Sequence, residues 1–342
     1  MKQFIGPAAR RILLGAIALL LQANPVFAAG TKLKVAYLPI MPMSQLFVME
    51  GEGWTKKAGL ELELTKFSSG PAIVQAIASG GYDVMYFGIG PAMVSRANGV
   101  PIKVVASNVI EQISLVAQGE FAKTMKAAAN PAAGIRDFTK RTGRKPKIAS
   151  LPKGSVPDLV FRHWLIKIAG LKITDVDLVG MGTDKVQQAI LAKSVDAVSM
   201  LEPVSTIVQE RLKNSYTIAY GGQMFPRQPG AVVAVRESVI KEKRAAVAKL
   251  VELHVRATEM LNKDPKRAVK HVHKFLGQGL VPLQTFETAM TSPISNFVAD
   301  PHSIVAATKT MHDFSKEIGT LKKPVPIDKL FDHSFYDSLG KK

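Results

Sequence analysis

Short apolar runs of β-forming residues alternate with stretches of helical periodicity along nearly the whole chain. Strands separated by helices build parallel sheets covered on both faces, so this rhythm restricts the fold to the α/β class. The spacing predicts strands over 33–38, 60–67, 82–87 and 102–107, with helices over 44–50, from Gly70-Pro71 onward and over 90–98. A short strand over 115–117 then precedes a segment, 120–146, that reads as one helix and an exposed basic loop ending in Lys140-Arg141-Thr142-Gly143-Arg144-Lys145-Pro146. The rhythm restarts with strands over 147–151, 176–179, 197–201 and 216–220, and helices reaching Ala169 and over 184–193. Two similar sets in 342 residues suit two lobes, each large enough to bury a core. The chain is expected to cross into the second lobe at Ile113 and return through a strand over 229–235. Lobe one is then 29–112 with 225–342, and lobe two is 113–224. Beyond 236 the chain reads as mostly helical, with 237–262 as its longest helix.

Residues 1–28 have the form of an export leader: Lys2, Arg10 and Arg11, then an apolar run over 12–21, then Val26-Phe27-Ala28. That run is short of the roughly 20 residues a membrane-spanning helix needs, and small residues suitable for cleavage after about Ala28 follow it. No Ser precedes the arginine pair, which favours general secretion over the twin-arginine route. The chain contains no Cys. Disulfides, thiolate-bound metals, thiol nucleophiles and the Cys of a lipid anchor are therefore excluded. A free periplasmic protein is expected. Loss of the leader leaves 42 basic against 27 acidic residues, a net charge of +15. The charges are spread along the chain, so an exported protein of this kind is expected to favour anionic ligands or headgroups and not nucleic acid.

In open parallel sheets ligands sit at the carboxyl ends of strands, beside helix N-termini whose free N–H groups favour anions. Four loops at such places are small and polar: 39–45, Ser68-Ser69-Gly70-Pro71, Gly88-Ile89-Gly90-Pro91 and Gly154-Ser155-Val156-Pro157. Gly lets backbone approach a ligand, Pro opens a helix without losing a bond, and Ser adds a hydroxyl. Each loop alone is also what an ordinary strand-to-helix turn requires; their recurrence points to a ligand. A fifth place is Met200-Leu201-Glu202-Pro203, where Glu202 either meets a cationic group or serves the N-terminus of its own helix. Tyr37, Trp54, Tyr86 and Phe87 can wall an apolar ligand, although most aromatics of this kind are core.

In order and spacing these segments resemble one family, the periplasmic substrate-binding proteins of ABC importers for nitrate, sulfonates and taurine, with the related thiamine-pyrimidine-synthase-like sequences. The marks are Gly51-Glu52-Gly53-Trp54 running to Ala58-Gly59-Leu60-Glu61, Gln75-Ala76-Ile77-Ala78-Ser79-Gly80-Gly81-Tyr82-Asp83-Val84, Phe87-Gly88-Ile89-Gly90-Pro91-Ala92, Lys153-Gly154-Ser155 and Val195-Asp196-Ala197-Val198-Ser199-Met200-Leu201-Glu202-Pro203. The resemblance covers nearly the whole mature chain. It implies a two-lobed type II periplasmic-binding-protein fold with two crossovers, each lobe a mostly parallel sheet flanked by helices. A ligand is clamped by hinge closure and delivered to a membrane permease with its ATPase. By the same resemblance the ligand contacts are Met43, Ser44, Gln45, Ser69, Gly70, Gly90, Pro91, Ser155 and Glu202. Relatives often carry Trp where Leu201 stands, so an aromatic wall is missing there. No arginine-rich patch suited to a sulfonate is identifiable, Arg162 and Arg227 being the candidates.

Enzyme readings fare poorly. The pyrimidine-synthase type is known for a Cys-rich iron motif, which a chain without Cys cannot supply. Neither a Gly-Lys-Ser/Thr phosphate loop nor a Gly-x-Ser-x-Gly elbow occurs. His271 and His273, two apart on a helix, do not face each other. The effector lobe of a transcription regulator shares the architecture, but a leader occupies the place of its DNA-binding domain. The expectation is a monomeric solute-binding protein without cofactor or metal. Its ligand is expected to be a small anion or zwitterion, sulfonate-like first and pyrimidine-like or aromatic second.

Overall fold

The computed structural model describes residues 30–277 and 280–340; the expected leader lies outside the described residues. The first set of elements is β1 (Thr31–Tyr37), α1 (Ser44–Gly51), β2 (Leu60–Lys66), α2 (Gly70–Ile77), β3 (Val84–Gly88), α3 (Ile89–Ala97) and β4 (Ile102–Ser107). The second is β5 (Ser114–Ala117), α4 (Gly119–Ala127), α5 (Pro131–Thr142), β6 (Lys147–Ser150), α6 (Val156–His163), β7 (Asp177–Gly180), α7 (Thr183–Leu191), β8 (Ala197–Met200), α8 (Val204–Arg211) and β9 (Tyr216–Tyr220). The chain then returns through β10 (Ala231–Arg236) and continues as α9 (Glu237–Glu242), α10 (Arg244–Lys263), α11 (Pro265–Leu276), α12 (Leu283–Met290) and α13 (Val305–Glu317).

Sheet one has the order β2-β1-β3-β10-β4 and sheet two the order β9-β5-β8-β6-β7. β1 pairs in parallel with β2 and β3, whereas β10 is antiparallel to both β3 and β4. In sheet two β6 is parallel to β7 and β8, and β5 is antiparallel to β8 and β9. Four of the five strands in each sheet therefore run one way. The reversed strand, β10 or β5, is the one that follows a crossover from the other sheet. Burial follows position in the sheet. All five residues of β3 are buried, while β2, at an edge, turns Glu61 and Glu63 outward and ties Glu63 to Lys32 at 2.6 Å.

Two sequence expectations need correction. Residues 120–146 form two helices, not a helix and a loop. The Asn130 side chain accepts from the Ala133 N–H at 2.9 Å and starts α5, and Gly143, with φ 69°, ends it. Lys140 and Arg141 lie in the last turn of α5, where the helix dipole favours cations, so the exposed basic loop begins only at Gly143. The helix expected over 237–262 is broken at Lys243. Its backbone leaves the helical region (φ −127°, ψ 37°), and its ammonium donates to the Lys32 carbonyl at 2.9 Å and sits 3.6 Å from Asp83. The break lets the following helix turn under sheet one.

That helix, α10, buries Val247, Leu250, Val251, Val255 and Leu261 in the core shared with α1 and the sheet. Phe47 on α1 is fully buried at the centre of this layer, stacked on Phe275 at 5.0 Å and edge-on to Tyr37 at 5.9 Å. Phe47→Ala removes both aromatic contacts and leaves a cavity. The expected loss is about 3–5 kcal/mol in urea unfolding with an unchanged m-value. A loss below about 1 kcal/mol would show that this layer collapses around the gap instead of depending on the ring.

Candidate functional site

The carboxyl ends of the two sheets face each other across a cleft bridged by the crossover segments. The glycines identified from sequence are where the two sides touch. A Cβ on Gly88 would lie 2.7 Å from Val156 Cγ2, and one on Gly90 would lie 2.8 Å from the Gly154 carbonyl oxygen and 2.9 Å from Leu159 Cδ1. Farther out, a Cβ on Gly182 would reach Ser68 at 3.5 Å. The cleft is therefore closed, with helix starts from both sheets in contact.

What remains inside is a small cavity with about 20 Å³ open to the centre of a water, room for roughly one water. From the first sheet's side it is lined by Leu38, Ile40, Met43, Gly70, Gly88 and Pro91. Leu151, Ser155, Val156, Pro157 and Leu201 line the second side, Gln112 comes from the first crossover and Ala231 from the start of β10. Among these residues none is charged. The walls are aliphatic and the polar groups are Ser155, Gln112 and backbone.

The helix starts show how that backbone is presented. Ser69 caps α2, its Oγ accepting from the Ala72 N–H at 3.4 Å, and Ser155 caps α6 in the same way from the Asp158 N–H at 3.4 Å. The second residue of each helix is a Pro, Pro71 or Pro157, with no N–H to offer. Of the first three positions, only the N–H groups of Gly70 and Val156 are left, and among the described residues neither has a hydrogen-bond partner. Both residues line the cavity. In α3 the Ile89 N–H is taken by the Gly230 carbonyl at 3.0 Å and Pro91 has none, which leaves Gly90. The loop before α6 is locked by buried Asp158, which accepts from the Gly154 N–H at 2.9 Å and from Arg162 Nε at 2.8 Å.

Of the residues expected from sequence, Met43, Gly70, Pro91 and Ser155 line this cavity, Ser69 caps the helix that reaches it, and Gly90 lies at the adjoining contact. Ser44, Gln45 and Glu202 are placed differently. Ser44 does not cap α1: it is the first helical residue, and its hydroxyl donates to the Met41 carbonyl. The Gln45 amide donates to the Asn108 carbonyl at 2.7 Å and to Thr258 Oγ1 at 3.2 Å, tying α1 to a crossover. Glu202, also buried, lies just ahead of α8 and accepts from the Thr206 N–H in its first turn at 3.0 Å. It faces a crevice against Met41, Val109 and Phe297 with no room for a water. Arg162 is spent on Asp158. The Arg227 backbone N–H donates to Glu111 Oε1 at 2.9 Å. Ile40 belongs to the expected loop 39–45, whereas Gln112, Leu38 and Leu151 were not expected. Aliphatic residues at strand ends carry no pattern separating a ligand wall from core, and Gln112 is placed by a crossover that only the tertiary fold defines.

Outside the Gly182–Ser68 contact the cleft opens into a chamber of about 510 Å³. Tyr37, Phe67 and Phe275 give it aromatic walls, and Lys66, Asp184, Gln187 and Gln188 give it polar groups. Trp54, Tyr86 and Phe87 are core, the reading the sequence favoured for most of these aromatics.

The NMT1-like family model matches residues 28–275. A protein of Brucella abortus, provisionally named a binding protein, is 26% identical over 322 residues, covering 92% of this chain and 95% of that one. Among solved structures, the alkanesulfonate-binding protein of Xanthomonas axonopodis pv. citri bound to MOPS superposes with a TM-score of 0.71 at 17% identity. The match covers 90% of this chain and all of that one. The periplasmic nitrate-binding protein of Synechocystis PCC 6803 gives 0.76 at 15% identity, covering 90% and 88%. At such identities these likenesses show the fold, that of two-lobed type II periplasmic binding proteins.

Two predictions follow from the geometry. Gly90→Ala places a methyl against the Gly154 backbone, which cannot swing aside as a side chain does. It should cost about 1–3 kcal/mol and raise the radius of gyration of the free protein in small-angle scattering. An unchanged radius with full stability would show that the two sides do not close on Gly90. The second concerns Glu202. Burial holds its carboxyl above the ordinary carboxylate range, against hydrogen bonds from Ser292 and Thr206 that pull it down. A carboxyl raised on folding contributes stability below its unfolded pKa and loses it as pH rises through the folded value. Glu202→Gln should therefore gain on the parent as pH rises from about 4 to 7 in urea unfolding; a constant difference over that window would contradict the assignment.

Proposed function

The chain belongs to the NMT1-like family, and from that premise we propose that it is the periplasmic solute-binding component of an ABC importer, a binder and not an enzyme. Residues 29–112 with 225–342 and residues 113–224 act as the two bodies that close on the solute. The ligand is a small organic anion with an apolar part, a sulfonate first. The observation that carries this reading is the pair of unpartnered N–H groups at Gly70 and Val156, one from each side, in a cavity otherwise walled by Leu38, Ile40, Met43, Leu151 and Leu201. Neutral donors at two helix starts suit an acidic headgroup, and the aliphatic walls suit a short tail. The alkanesulfonate-binding protein, with its bound MOPS, supports the same ligand class. Opening of the lobes supplies the volume the closed cavity lacks. The Tyr37, Phe67 and Phe275 walls of the outer chamber favour a second reading, in which the solute is aromatic or pyrimidine-like and the transport role is unchanged.

The test is thermal unfolding of the mature protein against alkanesulfonates, taurine, aromatic sulfonates, nitrate, carboxylates and pyrimidines. At about 100 times its dissociation constant the right solute stabilises by roughly 2.7 kcal/mol. The expected pattern is selective stabilisation by an alkanesulfonate, weakened at least tenfold in affinity by Ser155→Ala, since a bond to a charged group is lost. Selective response to pyrimidines would replace the sulfonate by the second reading. No response to any of them, with native mass spectrometry showing an empty protein, would overturn both.

A further inference from the structure

Helix α11 carries a basic face that solute binding does not use. Lys266, Lys270 and Lys274 recur every four residues and are all exposed, whereas Ala268, Val269 and Val272 on the opposite side are buried. Lys263, the last residue of α10, is exposed just ahead of them. No carboxylate occurs within 265–276. The acids at the start of the helix, Glu52 and Asp264, are already committed. Glu52 accepts from Arg267 Nε at 2.8 Å and lies 2.8 Å from His271 Nε2, and Asp264 caps the helix through the Arg267 N–H at 3.2 Å. Among the described residues no ion pair includes Lys266, Lys270 or Lys274.

This pattern runs against the helix's own preferences. Like charges four residues apart repel, and a cation in the first turn, as at Lys266, opposes the dipole; only Lys274 is placed where the dipole favours it. A face that breaks local rules without an internal partner is a face for something outside. Beyond the helix end, Leu280 is 79% exposed, more than any other large apolar side chain among the described residues.

We propose that this face docks the protein on an anionic phospholipid bilayer. Charge complementarity selects the occupant. The three ammonium groups are about 6 Å apart along the helix and have no aromatic anchor between them. A protein interface relies on packed anchors of that kind, whereas a field of headgroup phosphates needs only the charges. Held there, the protein would search for its membrane partner in two dimensions. The proposal rests on this surface and not on the ligand reading.

The test is flotation of the mature chain with vesicles of phosphatidylcholine alone or mixed with phosphatidylglycerol, at low and high salt. Binding is expected only with the anionic lipid and at low salt. At a few-fold per lysine, the triple variant Lys266→Ala, Lys270→Ala, Lys274→Ala should lower partitioning by roughly 30- to 100-fold. A charge-matched control, Lys126→Ala, Lys140→Ala, Lys145→Ala, removes three exposed lysines from α4, α5 and the loop after it, and should change partitioning less than about threefold. Equal loss in both triples would overturn the proposal in favour of net charge alone. Absence of binding to phosphatidylglycerol vesicles would overturn it outright. Stripe-dependent binding that needs a membrane protein in neutral vesicles would assign the face to an acidic protein instead. Unchanged thermal unfolding of both triples excludes misfolding as the cause.

Discussion

The arrangement of the molecule depends on one short ladder, the hydrogen bonds between the two crossover segments. The Asn108 N–H donates to the Ala231 carbonyl at 2.9 Å, the Gly230 N–H to the Val109 carbonyl at 3.1 Å, and the Glu111 N–H to the Gln228 carbonyl at 2.8 Å. Among the described residues these bonds hold the two covalent connections between the sheets side by side, so the chain passes between the sheets at a narrow waist. Gly230 is required there, because a Cβ would lie 2.5 Å from the Val109 carbonyl oxygen. Glu111 and Arg227 stand at the ends of this ladder with φ of 52° and 53°, a region that costs residues other than Gly about a kcal/mol or more. Two such residues at one waist, linked by the Arg227 N–H to Glu111 Oε1 bond, mark where the chain has been forced to turn. Motion of one sheet against the other has to be absorbed here.

The waist is braced from below. Asn108 Nδ2 donates to the Pro42 carbonyl at 3.0 Å, Gln45 donates to the Asn108 carbonyl, and His254 Nε2 lies 2.7 Å from the Ser107 carbonyl oxygen. Burial drives the His254 pKa down to about 4, so at neutral pH the ring is uncharged. Gln45 and His254 come from α1 and α10, which also carry the Phe47 layer, while Asn108 reaches out from the crossover itself. The loop ahead of α1 and the crossover are thereby fixed to one rigid support. That is why Ser44 and Gln45, polar residues at the end of the 39–45 loop, are occupied with structure.

Much of the fold was legible in the sequence because strand and helix periodicities are local. The strands over 102–107 and 216–220 fall where the apolar runs place them, and Ser69 and Ser155 cap helices as Ser-x-Pro spacing implies. What periodicity could not give was the break at Lys243, which exists because Asp83 and the Lys32 carbonyl, distant in sequence, lie in reach. The site divides in the same way. Glycine and serine positions announce close approach and capping wherever they occur, so Gly70, Gly90 and Ser155 could be named. The acidic residue before a helix-opening Pro has two uses, binding a cation outside or capping the helix inside, and sequence alone does not separate them. At Glu202 the Thr206 N–H decides for the inside.

On the proposed reading, the proline at the second position of α2 and α6 is more than a helix starter. A helix start normally offers several N–H groups to an anion. Here Ser69 and Ser155 consume one each and Pro71 and Pro157 remove another, so each helix brings a single donor, Gly70 or Val156, while its dipole still points at the cavity. With no cationic side chain in the lining, the favourable field is diffuse and the donors are few and fixed. A compact, strongly hydrated ion would give up many water contacts for two N–H bonds. A weakly hydrated acidic group on a hydrocarbon tail loses less, and gains from the walls of Leu38, Ile40, Leu151 and Leu201 at roughly 25 cal/mol per Å² of apolar surface covered. The missing arginine patch is then part of the selectivity: without it, charge alone does not hold a solute in the cleft, and the apolar part has to be present.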